Sequence, residues 1–225
     1  MAIKRGKRGV CPGFRGPAGV FLMMVITLAA GCQAINPLPN FGVGHGQPQE
    51  ARIRQLLKWH SGHVEVYRDF RTVFTARAVY LSDEIQRLAV DWEARSRLMN
   101  PEERRALEKL HMGEETPVIK VLVGFYTPEG ELNDLSQENS LWIPYLKNPD
   151  GTVTKASTLV EDEKRTAIYM RFLKWDLSWS KLYLICFPYT PSLYGPDNAL
   201  ITMVISGPSG QGEISLKMMP PPSQP

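Results

Sequence analysis

From Gly113 onward the chain offers strands and almost nothing else. Seven short stretches rich in apolar and β-branched residues follow one another: "VIKVLVGFY", "SLWIPYL", "TVTKAST", "TAIYMRFL", "KLYLICF", "ALITMVIS" and "GEISLKM". Glycine, proline and asparagine punctuate them, and such clusters mark turns. No helical period of crossover length separates one stretch from the next, and parallel strands cannot be joined without one. The pattern therefore predicts antiparallel pairing. "NPDG", Asn148 to Gly151, supplies a hairpin turn between the second and third stretches. "GPSGQGEI", Gly207 to Ile214, reads as a glycine-rich hairpin loop. It is not a phosphate loop, because Glu213 and Ile214 stand where Lys and Ser or Thr would be needed.

The segment before Gly113 is helical with one extended interruption. "PQEARIRQLLKWH" places Ile53, Leu56 and Leu57 on one face. In "RTVFTARAVY", Phe74, Ala76, Ala78 and Tyr80 alternate with Thr75, Arg77 and Val79, a strand period. Ser82 can cap the helix "DEIQRLAVDWEARSRLM", in which Ile85, Leu88, Ala89 and Trp92 form an apolar stripe. Its carboxylates Asp83, Glu84, Asp91 and Glu93 are expected on the exposed arc. "NPEE", Asn100 to Glu103, has the form of a capping box opening a second helix that runs to about His111. The whole predicts a mainly β protein: an antiparallel sandwich of immunoglobulin- or transthyretin-like architecture, with the two central helices as an insertion covering one end or face.

The amino terminus is of a different kind. "MAIKRGKRGVCPGFRGPAGV" carries Lys4, Arg5, Lys7, Arg8 and Arg15 and no acidic residue, and the apolar run Val20 to Gly31 follows. A basic region, a short apolar region and small residues form the order of an export signal. Twelve helical residues span only about 18 Å, against the roughly 30 Å of hydrocarbon in a bilayer. "LAAGC", Leu28 to Cys32, resembles the lipobox of bacterial lipoproteins, with Ala29 at a position that usually holds Leu. That resemblance covers residues 1 to about 33. It implies a diacylglyceryl group on the Cys32 thiol, cleavage between Gly31 and Cys32, and acylation of the new amine, commonly with palmitate. Gln33, where an Asp would retain the chain at the inner membrane, implies the outer membrane, facing the periplasm. Two or more acyl chains anchor stably where one does not.

The charge balance changes once such a signal is set aside. The full chain has 26 basic and 23 acidic residues, but the signal holds 5 of the former and none of the latter. What remains is 21 against 23, a net of −2, which gives no footprint for nucleic acid. Cys11 belongs to the signal and Cys32 to the lipid, so Cys186 is left without a partner for a disulfide. The expected organisation is an export signal over 1–31, a flexible lipidated tether over 32–49, one β-sandwich domain over 50–219 with its helical insertion at 83–112, and a Pro-rich tail over 220–225. A tether of that length reaches roughly 20–25 Å.

Few residues present themselves for chemistry. His60, His63 and Glu65 around "HSGH" could ligate Zn²⁺ as part of a metal-dependent hydrolase, although Gly62 suggests a turn that would not align the rings. His111, at the end of a helix, is expected to stabilise it as a cation. Cys186 lies in an apolar strand and reads as a small core hydrophobe. Ser209 lacks the G-x-S-x-G spacing of a nucleophile. Trp142, Trp175, Trp179, Tyr183, Tyr189 and Tyr194 are concentrated in the second half. Buried, they plug the sandwich, which is the ordinary fate of such residues. Exposed, Trp175 and Trp179 would offer a platform for cell-wall glycan or a small ligand. No catalytic constellation and no cofactor beyond the covalent lipid is expected. The sequence thus points to a lipid-anchored envelope protein that serves as a non-enzymatic interaction or assembly module for another envelope protein.

Overall fold

The computed structural model describes residues 48–219 apart from 115, 138, 149, 177 and 191–199. The segments expected as export signal, lipobox with Cys32 and most of the tether, together with Tyr194 and the Pro-rich tail, lie outside the described residues. Pro48 and Gln49, expected in the tether, already belong to the first helix, α1 (Pro48–Trp59). Proline suits that position because its missing N–H would have no intrahelical acceptor there. Then come β1 (Ser61–Arg68), β2 (Arg71–Tyr80), α2 (Asp83–Ser96) and α3 (Pro101–Met112). The remainder comprises β3 (Val118–Tyr126), β4 (Ile143–Lys147), β5 (Val153–Lys155), β6 (Thr158–Val160), α4 (Glu163–Met170), β7 (Lys181–Pro188), β8 (Leu200–Gly207) and β9 (Gly210–Lys217).

The strands form two sheets, ordered β1-β2-β3-β7-β6 and β5-β4-β8-β9. Every pairing among the described residues is antiparallel. One face of the first sheet meets the second across a shared core. Phe74, Ala76, Val121, Val123, Phe125, Tyr183 and Ile185 from the first sheet pack with Leu146, Met203, Ile205, Ile214 and Leu216 from the second. The opposite face of the first sheet, with Val79, Leu122, Leu184 and Cys186, is covered by α1, α2 and α4 through Ile53, Leu56, Ile85, Ala89, Ile168 and Tyr169. Strands β2, β3 and β7 are therefore buried on both sides. This is why "VIKVLVGFY" reads as a continuous apolar run and not as an alternating one.

Local signals explain most of the ends. Ser82 Oγ accepts from the Ile85 N–H at the start of α2. Asn100 and Glu103 close the capping box of α3 reciprocally. Gly151, at φ 84°, lets the β4–β5 turn reverse. Gly62 is no turn, contrary to expectation. It lies within β1, and a Cβ there would stand 2.7 Å from Ile214 Cγ2 and 2.8 Å from the Ser215 carbonyl oxygen. Its bare backbone admits β9 across the gap between the sheets.

The largest difference from the sequence expectation is "TAIYMRFL", which folds as α4 and not as a strand. Asp162 caps it, accepting from the Arg165 N–H at 3.0 Å, and Glu163 lies in its first turn. The carboxylates of "EDEK", Glu161 to Lys164, thus supply the start signal of a helix. "TVTKAST" also divides, giving β5 to one sheet, while its last residue, Thr158, opens β6 in the other. Among the described residues no helix is long and apolar enough to cross a membrane.

Candidate functional site

A cleft of about 660 Å³ opens where α2, β3 and the chain ends of β2 and β9 meet, and His60, Tyr80, Gln86, Glu114, Lys120 and Tyr189 are in its lining. The decisive residue is Lys120, a single cation within the apolar run of β3. Strand alternation points Ile119, Val121 and Val123 into the core between the sheets. Lys120 therefore faces the helices beside Leu122. It is buried, at 5% exposure. An ammonium has three donors, and all three are used. Nζ donates to Gln86 Oε1 at 2.9 Å, to the His111 carbonyl oxygen, and to Glu114 Oε2 at 2.5 Å. Gln86 is itself oriented by donating to the Leu81 carbonyl at 3.0 Å. Glu114 also lies 3.9 Å from Arg165. A buried ion is tolerable only with this degree of pairing.

His60 and Tyr80, also in the lining, are both biased toward their neutral forms. His60 is buried, its Nδ1 bonded to the Lys217 carbonyl oxygen and its ring edge-on to Tyr80 at 5.5 Å. Burial lowers its pKa, against the opposing pull of that hydrogen bond. Burial, and then the charge of Asp83, pushes the Tyr80 phenol up to about 12.

A second cavity of about 430 Å³ shares Glu114, Thr116 and Val118 with the cleft and reaches Cys186. The thiol sits opposite Lys120 in the β3–β7 register. Burial, and then the charge of Glu114, raises the pKa of the thiol against the opposing pull of Lys120. Cys186 is thus the small core residue that its apolar strand suggests.

The structure separates the proposed zinc ligands. His60 turns inward at the end of α1, while His63 and Glu65 point outward together from β1, and Glu65 accepts from the Tyr67 hydroxyl at 2.7 Å. Strand alternation forces this split, because inward positions of β1 belong to Gly62, Val64 and Val66. Among the described residues no group of three or more His, Cys, Asp or Glu side chains is placed to hold a metal ion.

His111 also departs from expectation. It is buried, with Nδ1 3.2 Å from the Tyr169 hydroxyl, and its pKa is lowered to about 4 by burial first and then by Lys120 and Arg165. A neutral imidazole cannot serve the helix dipole as a cation. Glu93, expected on the exposed arc of α2, is buried and pairs with Arg97 one turn on. It lines a cavity of about 480 Å³ together with His111 and Ile168. The helix is enclosed on that side because α4, unforeseen as a helix, packs there.

The aromatic residues divide by role. Trp142 and Tyr183 are core, and Trp142 packs edge-on against Phe74 and Phe125 at 5.0 and 5.7 Å. Trp175 is half-buried against the helix-facing cluster. Trp179 is 76% exposed, although its carbonyl accepts from Asn133 Nδ2 at 3.1 Å. Sequence reasoning missed Lys120. The available signal was one charge inside an otherwise unbroken apolar strand.

No protein-family model matches the chain, and no curated protein is significantly similar to it. A solved structure that resembles it is that of a Burkholderia pseudomallei K96243 protein described as a novel protein of unknown function. The likeness has a TM-score of 0.47 at 11% identity and covers 73% of this chain and 82% of that one.

Proposed function

We propose that the chain is a bacterial envelope lipoprotein, held by acyl chains on Cys32 at the periplasmic face of the outer membrane. Its two-sheet body, read as a variant of the immunoglobulin- or transthyretin-like sandwich, serves as a non-enzymatic docking or assembly module. The observation that carries the anchor is "LAAGC" directly after a basic and then apolar segment. The internal pairing of Lys120 with Glu114 supports a structural body. Lys120 is held by three acceptors of the protein itself, Gln86 Oε1, the His111 carbonyl oxygen and the Glu114 carboxylate, and so ties α2, α3 and β3 together.

Labelled palmitate fed to the producing bacterium should enter the wild-type chain and not Cys32→Ser, and only the wild type should sediment with membranes. Equal partitioning of the two would overturn the anchor. Exposure of Trp179 favours a second reading, cell-wall glycan binding. Titrating peptidoglycan fragments against wild type and Trp179→Ala, with tryptophan fluorescence as readout, separates it from the first, since a docking module gives no saturable change.

A further inference from the structure

The large apolar side chains left in solvent include a group gathered at one end of the sheets. Tyr67 and Phe70 sit at the β1–β2 tip, Leu141 and Ile143 at the start of β4, and Trp179 just before β7. The registers align these places. Thr75 pairs with Tyr126, Phe125 with Lys181, and Ile143 with Ser206. The β8–β9 turn joins them, since a Cβ on Gly210 would lie 3.1 Å from Val66 Cγ1.

Phe70 stands out within this group. Arg68 pairs with Arg71, so Asp69 and Phe70 form a two-residue turn, at φ 49° and 63°. That geometry suits Asp followed by Gly, whereas a bulky residue in the second place bears a backbone cost. Leu98 has a positive φ too, but there the conformation closes a helix end, with the Met99 N–H donating to the Ala94 carbonyl. Phe70 is fully exposed, at 106%. Its ring therefore gains nothing from the fold in return for an unfavourable backbone, and strain of this kind concentrates where another molecule is engaged.

We infer that the β1–β2 tip is a docking knob in which Phe70 enters an apolar pocket on a protein partner, with Arg68 and Arg71 meeting carboxylates on the pocket rim. A protein is favoured over a bilayer by the mixed charge of this end. Arg68 and Arg71 are offset by exposed Asp69, Glu129 and Glu131, so an anionic lipid surface meets no net attraction there. An aromatic flanked by arginines is the composition of a protein-interface hot spot. The inference rests on the docking reading above and identifies the surface used.

The test is a photo-crosslinking residue, p-benzoylphenylalanine, placed at position 70 or, as a control, at 98 in the full chain inside the producing bacterium. The expected result is one discrete protein adduct from position 70 and none from 98, with the crosslinked partner peptide carrying acidic residues. Arg68→Glu with Arg71→Glu should reduce the adduct at least tenfold. Phe70→Gly should abolish competition by the unlabelled chain for that adduct while leaving Tm unchanged or higher. Adducts with phospholipid alone, with a second copy alone, equally from both positions, or none at all overturn the inference. A discrete adduct from position 70 in a chain that incorporates no palmitate leaves the knob standing while the anchor falls.

Discussion

The ammonium of Lys120 and the carboxylate of Glu114 meet at 2.5 Å on the floor of the cleft, with 5% of the lysine side chain exposed. The pair fastens the segment following α3 onto β3, and Gln86 of α2 completes it. Removing one member exposes how the other is held. Glu114→Ala leaves a buried cation short of an acceptor and should cost about 2–4 kcal/mol, the lower part of the usual range because Glu114 is partly exposed. Lys120→Met together with Glu114→Gln removes the charge as well and should cost less than Glu114→Ala alone. Urea unfolding of the wild type and the two variants gives the comparison. If the double variant is the least stable, the pair is net stabilising and this reasoning is wrong.

Stability should fall on mild acidification, with His111 as a main cause. Its folded pKa, about 4, lies below the ordinary value of 6.5, so the unfolded chain binds more protons between those limits. The contribution is present in full above about pH 6.5 and is lost as pH drops toward 4. Its size is of order 3 kcal/mol. His60 acts in the same direction. Unfolding free energies measured between pH 7.5 and 4.5 should fall less steeply for His111→Phe than for wild type. Parallel curves would exclude His111 as the source.

Gly62→Ala tests the approach of β9 to β1. The added methyl would sit 2.8 Å from a backbone oxygen, which cannot swing aside as a side chain can. A loss of about 1–3 kcal/mol is expected. An unchanged denaturation midpoint would mean that the sheets separate there without cost.

The tryptophans give a paired comparison. Trp142→Ala empties a site between Phe74 and Phe125 and should cost about 3–5 kcal/mol. Trp179→Ala, at an exposed position, should change stability by less than about 0.5 kcal/mol. Thermal melts of the two should differ by many degrees, and similar melts would contradict the assignment of either residue.

Most strands of the second half, though not β6, their antiparallel sense, the caps Ser82 and Asn100 and the Gly151 turn were legible in the chain. Each is set by interactions within a few residues, through side-chain period, cap chemistry or the φ a turn requires. The "EDEK" start of α4 was equally local, but the apolar run after it suited both a strand and a helix, and short runs do not decide between them. Lys120, His111 and Glu93 were not legible as buried groups, because their environment is made by the packing of separate elements. Glu93 is enclosed with His111 beside α4, and Lys120 finds its acceptors in α2, in the last turn of α3 and just after that helix. The exposure of Trp179 was undecided for the same reason. Sequence by itself determined which segments extend, coil or turn. Only the tertiary structure decided which faces are covered, and with that which polar groups must be paired or neutral, since desolvation depends on neighbours that sequence spacing does not specify.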